Sequence, residues 1–167
     1  MVSLPVTYGF SVLSKRHYYE DTRDYAGIIS HVINGDTVSG YLETGECTEV
    51  NAGHEHPAIR RKGGIYELNR YKHSPALAAL EGMTFVERRF RLDPGDSLFV
   101  YTDGITEATN SDMKLFGEER LMTALNKNSG AGPEELLNNV KNSIDAFVGD
   151  TPQFDDITML AFRYNGK

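Results

Sequence analysis

Acidic residues stand at the ends of two predicted strands, where their carboxylates could bind a metal ion. Asp103 directly follows the mainly apolar run 98–102. Asp155 and Asp156 directly precede the run 157–160, which opens the last predicted strand. A carboxylate at the end of a buried strand is held on a rigid element, as a metal ligand must be, and hard cations such as Mg²⁺ and Mn²⁺ prefer carboxylate oxygens. The alternative is that Asp103 and Asp155 cap turns, a common role of aspartate.

Three histidines, His54, His56 and His73, raise the alternative of a zinc site. A His-x-His pair on a strand points both rings to the same face, and zinc accepts imidazole ligands. No third ligand stands at a diagnostic spacing, so the sequence favours the carboxylate site. The basic run 60–62 could guide an anionic partner, although such runs on hairpins are usually solvated faces.

The elements that must position these residues are strands joined by hairpins, followed by two helices. Runs of β-branched and aromatic residues predict strands at 6–13, 28–33, 38–42, 47–51, 65–68, 97–101 and 157–164. Turn-forming residues at 34–36, 43–46 and 60–64 separate several of them and predict hairpins. The spacing of apolar residues predicts helices over 118–126 and 133–148. Several hairpins and two late helices predict an α+β fold, in a single domain that spans residues 1–167.

Composition and charge exclude several classes of function. The net charge of −7 argues against affinity for nucleic acid or anionic lipid, because both require a basic surface. It leaves a divalent cation or a protein as the expected partner. No apolar run approaches the roughly 20 residues of a membrane span, and no signal peptide is visible. The single cysteine, Cys47, cannot form an internal disulfide, so we expect a cytoplasmic protein.

Four motifs stand in order along residues 45–164. They are Asn-Ala-Gly-His-Glu-His-Pro at 51–57, Gly-Asp-Ser-Leu-Phe-Val-Tyr-Thr-Asp-Gly-Ile-Thr-Glu-Ala at 95–108, Leu-Phe-Gly-Glu-Glu-Arg-Leu at 115–121 and Phe-Asp-Asp-Ile-Thr at 154–158. Any one of them would be a weak signal. Together they resemble the SpoIIE/RsbU branch of bacterial metal-dependent protein serine/threonine phosphatases, within the type 2C superfamily. Residues 1–44 diverge from that pattern.

The resemblance implies both a fold and a chemistry. The fold would be two packed, mainly antiparallel β-sheets flanked by helices. A cluster of aspartates would hold two Mn²⁺ or Mg²⁺ ions, and a metal-activated water would hydrolyse the phosphate ester. Asp103 and Asp155 match the family's metal ligands, and Gly104 and Asp156 match residues beside them. The implied substrate is phosphoserine on a regulatory protein, such as an anti-anti-sigma factor, in cytoplasmic signal transduction.

The N-terminal part departs from the family pattern. Family members carry a Gly-Gly-Asp segment and then Gly-Asp-Val-Ser-Gly-x-Gly, whose aspartate bridges the two metals. The nearest fragment here, 35–40, makes Asp36 the candidate bridging ligand, and the alternative is a turn that leads into a strand. Without a bridging carboxylate the site would hold one ion or none. Three interpretations follow: a shortened active phosphatase, a catalytically silent binding or regulatory module, and a site completed by a second chain through homodimerisation or strand swapping.

Overall fold

The computed structural model describes residues 9–14, 28–33, 36–41, 44–72, 74, 84–153 and 155–166, with side chains described from residue 44 onward. Within these residues the chain forms nine strands and two helices. They are β1 (Gly9–Ser14), β2 (Ile28–Ile33), β3 (Asp36–Tyr41), β4 (Glu46–Val50), β5 (Ala58–Arg60), β6 (Tyr66–Leu68), β7 (Glu87–Arg91), β8 (Ser97–Tyr101), α1 (Gly117–Lys127), α2 (Pro133–Val148) and β9 (Thr158–Arg163).

The strands form two antiparallel sheets. The first has the strand order β1-β9-β8-β5-β6, and the second has the order β2-β3-β4-β7. Every neighbouring pair runs antiparallel. The hairpins predicted around 43–46 and 60–64 are present as β3–β4 and β5–β6. Together with the two helices, these sheets confirm the predicted α+β fold with mainly antiparallel pairing.

Strand β8 is buried at every position because apolar layers cover both of its faces. Successive side chains of a strand point to opposite faces of the sheet. Leu98 and Val100 pack with Cys47 of the second sheet. Phe99 and Tyr101 pack on the other side, with residues of α1 and α2. The layers therefore run from the second sheet through the first sheet to the helices, which leaves β8 in the middle.

Both predicted helices are present, with bounds within one residue of the prediction. Pro133 begins α2, where its fixed φ suits the first helical turn, and Gly149 follows the last residue with a φ of 60°. The buried residues of α2 follow the spacing of one helical face: Leu136, Leu137, Val140 and Ile144. Among the described residues, neither helix has the length and apolar character needed to cross a bilayer.

The N-terminal predictions are tested in part. β2 coincides with the strand predicted at 28–33, and β1 covers most of the strand predicted at 6–13. The polar stretch 15–24 and the turn residues 34–35 lie outside the described residues. Asp36 is the first residue of β3.

Candidate metal centre

Three carboxylates converge where β8 ends and β9 begins. The carboxylate oxygens of Asp103, Glu107 and Asp155 that could bind a metal lie within 4.8 Å of one another, and all three residues are exposed. The pairing of β8 with β9 brings them together: Tyr101 lies opposite Met159, so the residues after β8 meet the residues before β9. The two predicted ligands, Asp103 and Asp155, are therefore neighbours although both helices separate them in the chain. We call these three residues the acidic cluster.

Glu107 is the member of the acidic cluster that the sequence did not predict. The backbone N–H of Glu107 donates to Asp103 O at 2.8 Å, and that of Ile105 donates to Thr102 O at 3.1 Å. These bonds wind the segment after β8 into a turn of helical type, and side chains four residues apart on such a turn are neighbours. The spacing of Asp103 and Glu107 was the available signal, but it has meaning only once this turn is known.

Thr102 ties the two acidic segments together. Its backbone N–H donates to Thr158 O at 3.1 Å. Its hydroxyl accepts from Thr158 N at 3.0 Å and donates to Asp156 O at 3.1 Å. The N–H of Asp156 in turn donates to Asp155 Oδ1 at 2.7 Å. The Asp155 carboxylate is therefore oriented by a backbone that is itself bound to the end of β8.

Gly104 allows the two segments to approach each other. A Cβ at this position would lie 2.5 Å from Asp156 O, a distance that real Cβ atoms do not show. A side chain at position 104 would therefore push the backbone of the Asp155 segment away. Gly104 and Asp156 lie beside the candidate ligands, as the sequence motif suggested, and both contribute through their backbones. Their role towards a bound metal stays a prediction.

The Asn-Ala-Gly-His segment lies against the turn that follows β8. The Thr106 hydroxyl donates to Asp103 O at 3.1 Å and lies 3.5 Å from Glu55 Oε1. Asn51 fixes the shape of this segment, because its Oδ1 accepts from His54 N at 2.8 Å and its Nδ2 donates to His54 O at 3.1 Å. The family-like loop at 51–57 therefore supports the acidic cluster from the second sheet.

The histidines form no group of three metal ligands with other described residues. Among the described residues, the acidic cluster is the one group of three candidate metal ligands. His56 Nε2 lies 2.7 Å from Tyr71 O. His54 Nδ1 is buried and has no hydrogen-bond partner in the described part of the chain. His73 lies outside that part, so the zinc interpretation gains no support.

A fully buried carboxylate lies on β4, next to the 51–57 loop. The Tyr71 hydroxyl donates a hydrogen bond to Glu49 Oε1, whereas Glu49 Oε2 has no partner among the described residues. Burial raises the pKa of the Glu49 carboxyl, although the Tyr71 hydrogen bond and the nearby His56 and Arg88 act in the opposite direction. The Arg88 guanidinium stacks over the Tyr71 ring at 4.3 Å from its centroid. No motif or pattern in the sequence singled out Glu49 as a buried group.

The acidic cluster is suited to a cation. Its three carboxylates take part in none of the ion pairs that the described Lys and Arg side chains form. Like charges this close repel one another, and a cation between them would turn the repulsion into attraction. Mg²⁺ and Mn²⁺ prefer carboxylate oxygens, and Mg²⁺ usually keeps several waters, which the exposure of the cluster allows. The donor set therefore fits a hard divalent cation.

The backbone places Asp36 near the 51–57 loop. Thr37 pairs with Val50. Asp36 therefore lies at the end of the second sheet where β4 continues into the 51–57 loop. Its bridging role stays a prediction.

The fold is similar to that of solved PP2C phosphatase domains. The SiaA-PP2C domain of Pseudomonas aeruginosa has a TM-score of 0.64 and 20% identity, over 77% of this chain and 50% of that chain. The PP2C phosphatase domain of the cell fate determinant SpoIIE from Bacillus subtilis has a TM-score of 0.59 and 19% identity, over 77% of this chain and 36% of that structure's chain. These similarities confirm the fold predicted from the resemblance.

The sequence establishes the family. The profile of the family described as Stage II sporulation protein E (SpoIIE) matches residues 21–165, so the chain belongs to the SpoIIE family. Protein IcfG from Synechocystis sp. is 36% identical over 125 residues, which cover 74% of this chain and 19% of that protein. The chain therefore spans about a fifth of the length of this relative, and half or less of the two solved chains.

Proposed function

We propose that this chain is a metal-dependent protein serine/threonine phosphatase domain whose acidic cluster binds Mn²⁺ or Mg²⁺. The observation that carries the proposal is the convergence of Asp103, Glu107 and Asp155 within 4.8 Å, in a chain of the SpoIIE family. A divalent ion held there would supply Lewis acidity, which activates water and neutralises phosphoryl oxygens during hydrolysis.

In this proposal some residues bind the metal ion and others orient those ligands. Asp103, Asp155 and Glu107 supply the ligand oxygens, and Asp36 is proposed as a further ligand for a second ion. The Asp156 N–H orients one ligand through its bond to Asp155 Oδ1. The three residues of the acidic cluster are exposed, which agrees with access for a phosphorylated side chain of another protein.

The proposed substrate is phosphoserine on a regulatory protein, such as an anti-anti-sigma factor. The family resemblance supports this choice, and the exposed position of the acidic cluster agrees with a protein substrate. The products would be inorganic phosphate and the dephosphorylated partner. We place this reaction in cytoplasmic signal transduction, in one domain over residues 1–167.

A second candidate function is a catalytically silent binding or regulatory module. The N-terminal departure from the family motif favours it, because residues 1–44 contain no Gly-Gly-Asp segment and offer only Asp36 near the bridging position. The third interpretation, in which a partner copy in a homodimer or a strand-swapped pair supplies a further ligand, differs from this module because it predicts turnover. Partner binding by such a module would survive the loss of Asp103 and Asp155.

The decisive experiment measures hydrolysis of p-nitrophenyl phosphate with and without millimolar Mn²⁺. We expect Mn²⁺-dependent turnover that falls by about 100-fold or more in Asp103→Asn and Asp155→Asn, because each substitution removes a charged ligand from the cluster. Glu107→Gln should also reduce turnover, because it removes one of the three carboxylates of the acidic cluster. Asp112→Asn is the matched control, since Asp112 is exposed on a nearby loop and pairs only weakly, at 3.7 Å, with Lys114.

Two results would contradict the proposal. The first is a folded wild-type protein that shows no Mn²⁺-dependent turnover, which would move the conclusion to the silent module. The second is full activity in both aspartate variants, which would place the metal elsewhere. Mn²⁺ affinity, measured by titration calorimetry on the same proteins, separates loss of the ion from loss of turnover.

A further inference from the structure

A cavity of about 580 Å³ lies directly beside the acidic cluster. Glu107 and Asp155 belong both to the cluster and to the lining of the cavity. Away from these carboxylates the lining includes apolar residues of α2, among them Ile144 and Val148. A volume of this size lies within the range of ligand-binding pockets, which are mostly apolar with a few polar groups that fix orientation.

Two exposed apolar side chains line the same cavity. Met113 is 75% exposed and Leu115 is 54% exposed. Among the described residues, the other large hydrophobic side chains with such exposure are Ile65 and Val86, and neither lines this cavity. Apolar side chains that remain in water around a cavity are typical of a binding surface. Methionine suits such a surface because its side chain is flexible and polarisable.

The loop that carries these two residues presents Met113 in a fixed, strained conformation. Met113 has a φ of 59°, which favours glycine and is uncommon for a residue with a long side chain. Asn110 holds the loop in this shape, because its Oδ1 accepts from Asp112 N at 3.1 Å and from Lys114 N at 3.0 Å. Its backbone oxygen accepts from Met113 N at 3.0 Å. Glycine would relieve the strain, so a methionine side chain at this position carries a cost to the loop.

We propose that this cavity is a specificity subsite, which binds an apolar side chain of a phosphorylated protein two residues away from the phosphoserine. The inference rests on the proposed function, since it assumes that the phosphate is held at the acidic cluster. In an extended peptide, side chains two residues apart lie on the same face, about 7 Å from each other. The cavity begins at Glu107 and Asp155, so the side chain two residues away from a bound phosphoserine would lie within reach of it. Met113 and Leu115 are then specificity-determining residues.

The test measures binding of fluorescein-labelled peptides by anisotropy in the presence of Mn²⁺. Each peptide carries a phosphonate analogue of phosphoserine, with Leu or Ser at the second position on either side. We expect the Leu peptide to bind about 10-fold more tightly than the Ser peptide at one of these positions, the usual discrimination of a small apolar pocket. Met113→Gly and Leu115→Ser should remove this preference. Ile65→Ser and Val86→Ser, which alter equally exposed apolar residues elsewhere, should retain it.

Three results would overturn the inference. These are a wild type without preference for Leu, variants Met113→Gly and Leu115→Ser that keep the preference, and a Leu peptide that binds equally well without the phosphonate. Met113→Gly suits the backbone at this position, so loss of folding does not obscure its result. Turnover of p-nitrophenyl phosphate by the wild type reports on the proposed function separately. A silent protein that still prefers Leu would refute the phosphatase and retain the subsite.

Discussion

Asp96 and Asp103 lie at opposite ends of strand β8, and their carboxylates have opposite surroundings. The Asp96 side chain is 2% exposed and accepts hydrogen bonds from Arg61 Nη1 at 2.6 Å, Lys62 N at 2.8 Å and Asp93 N at 3.0 Å. Asp103 is exposed, and the groups nearest to its carboxylate include two further carboxylates. At one end of the strand, hydrogen-bond donors surround the carboxylate of Asp96. At the other end, the carboxylate of Asp103 lies among other negative charges.

The difference separates a structural aspartate, Asp96, from the proposed metal ligand, Asp103. Burial by itself raises the pKa of Asp96, but the hydrogen bonds from Arg61, Asp93 and Lys62 outweigh it and hold that pKa below its usual range. The ionised Asp96 therefore stabilises the fold above the usual pKa of aspartate, and this contribution is lost as the pH falls through the lowered pKa. The carboxylates of the acidic cluster take part in none of the ion pairs of the described Lys and Arg side chains, so we expect no comparable stabilisation there without a cation.

The largest effect on stability is expected at the satisfied end of the strand. Asp96→Asn replaces a carboxylate oxygen by an NH₂ group that faces hydrogen-bond donors. We expect the free energy of unfolding to fall by about 2–4 kcal/mol, as measured by urea denaturation. The control is Asp93→Asn, because the Asp93 side chain is 72% exposed and its backbone N–H remains. Equal losses in both variants would contradict the assignment of Asp96 as the structural group.

Gly104→Ala is expected to disturb the backbone at the Asp103 end of β8. The added Cβ would lie 2.5 Å from Asp156 O, so the segment that carries Asp155 must move. We expect a loss of about 1–3 kcal/mol in unfolding free energy, the range for a side chain forced into a packed site, together with weaker Mn²⁺ binding. Gly132→Ala is the matched control, since no atom outside its immediate neighbours lies within 4 Å of a Cβ there. Unchanged Mn²⁺ affinity in Gly104→Ala would show that the approach of the two segments does not matter to the site.

Glu49 is intermediate between the two aspartates, because one of its oxygens has a donor and the other has none among the described residues. Its raised pKa means that the folded state binds the proton more readily than the unfolded state. The stability from this group is complete below the unfolded pKa and declines as the pH rises through the raised folded pKa. Glu49→Gln mimics the protonated form, so we expect it to gain stability relative to wild type as the pH rises from 4.5 to 8.

Urea denaturation at several pH values measures this trend. Glu67→Gln, at an exposed position of β6, is the control for removing a carboxylate from the surface. A difference between Glu49→Gln and wild type that does not change with pH would mean that Glu49 has the same pKa in both states.

The smallest effect on the free energy of unfolding is expected from a substitution of Asp103 when no metal is present. Asp103→Asn removes one of three neighbouring negative charges, so the unfolding free energy should stay within about 0.5 kcal/mol of wild type. The alternative raised by the sequence, that Asp103 caps a turn, predicts a loss of about 1 kcal/mol. Urea denaturation in the presence of a chelator decides between the two, with Asp112→Asn as the control for removing an exposed aspartate.

The sequence predicted those parts of this molecule that depend on local patterns. The hairpins around 43–46 and 60–64 follow from turn residues between alternating strands. Helix α2 follows from Pro133, Gly149 and a regular apolar face. Asp103 and Asp155 could be singled out because each adjoins an apolar run, and the pairing of β8 with β9 then brings them together.

The remaining parts depend on contacts between distant segments. Glu107 joins the acidic cluster through a turn held by backbone hydrogen bonds, which residue types alone do not specify. Glu49 lies on the same face of β4 as Cys47, and the packing of the two sheets buries its carboxylate next to Tyr71. Its charged residue type gives no indication of this burial. The cavity beside the cluster combines residues from the loop after β8, from α2 and from β9, so no single stretch of sequence contains it.

The pairing of β8 with β9 also sets the order in which the molecule can acquire cation binding during folding. These strands flank both helices, so Asp103 and Asp155 meet only after a long loop has closed. Folding is slow when a long loop must close before its ends can form stabilising contacts. The 51–57 loop and the β5–β6 hairpin form from nearby residues and can appear early. If the acidic cluster binds a cation as proposed, binding is expected only after β8 has paired with β9, and its appearance in a refolding experiment would report that pairing.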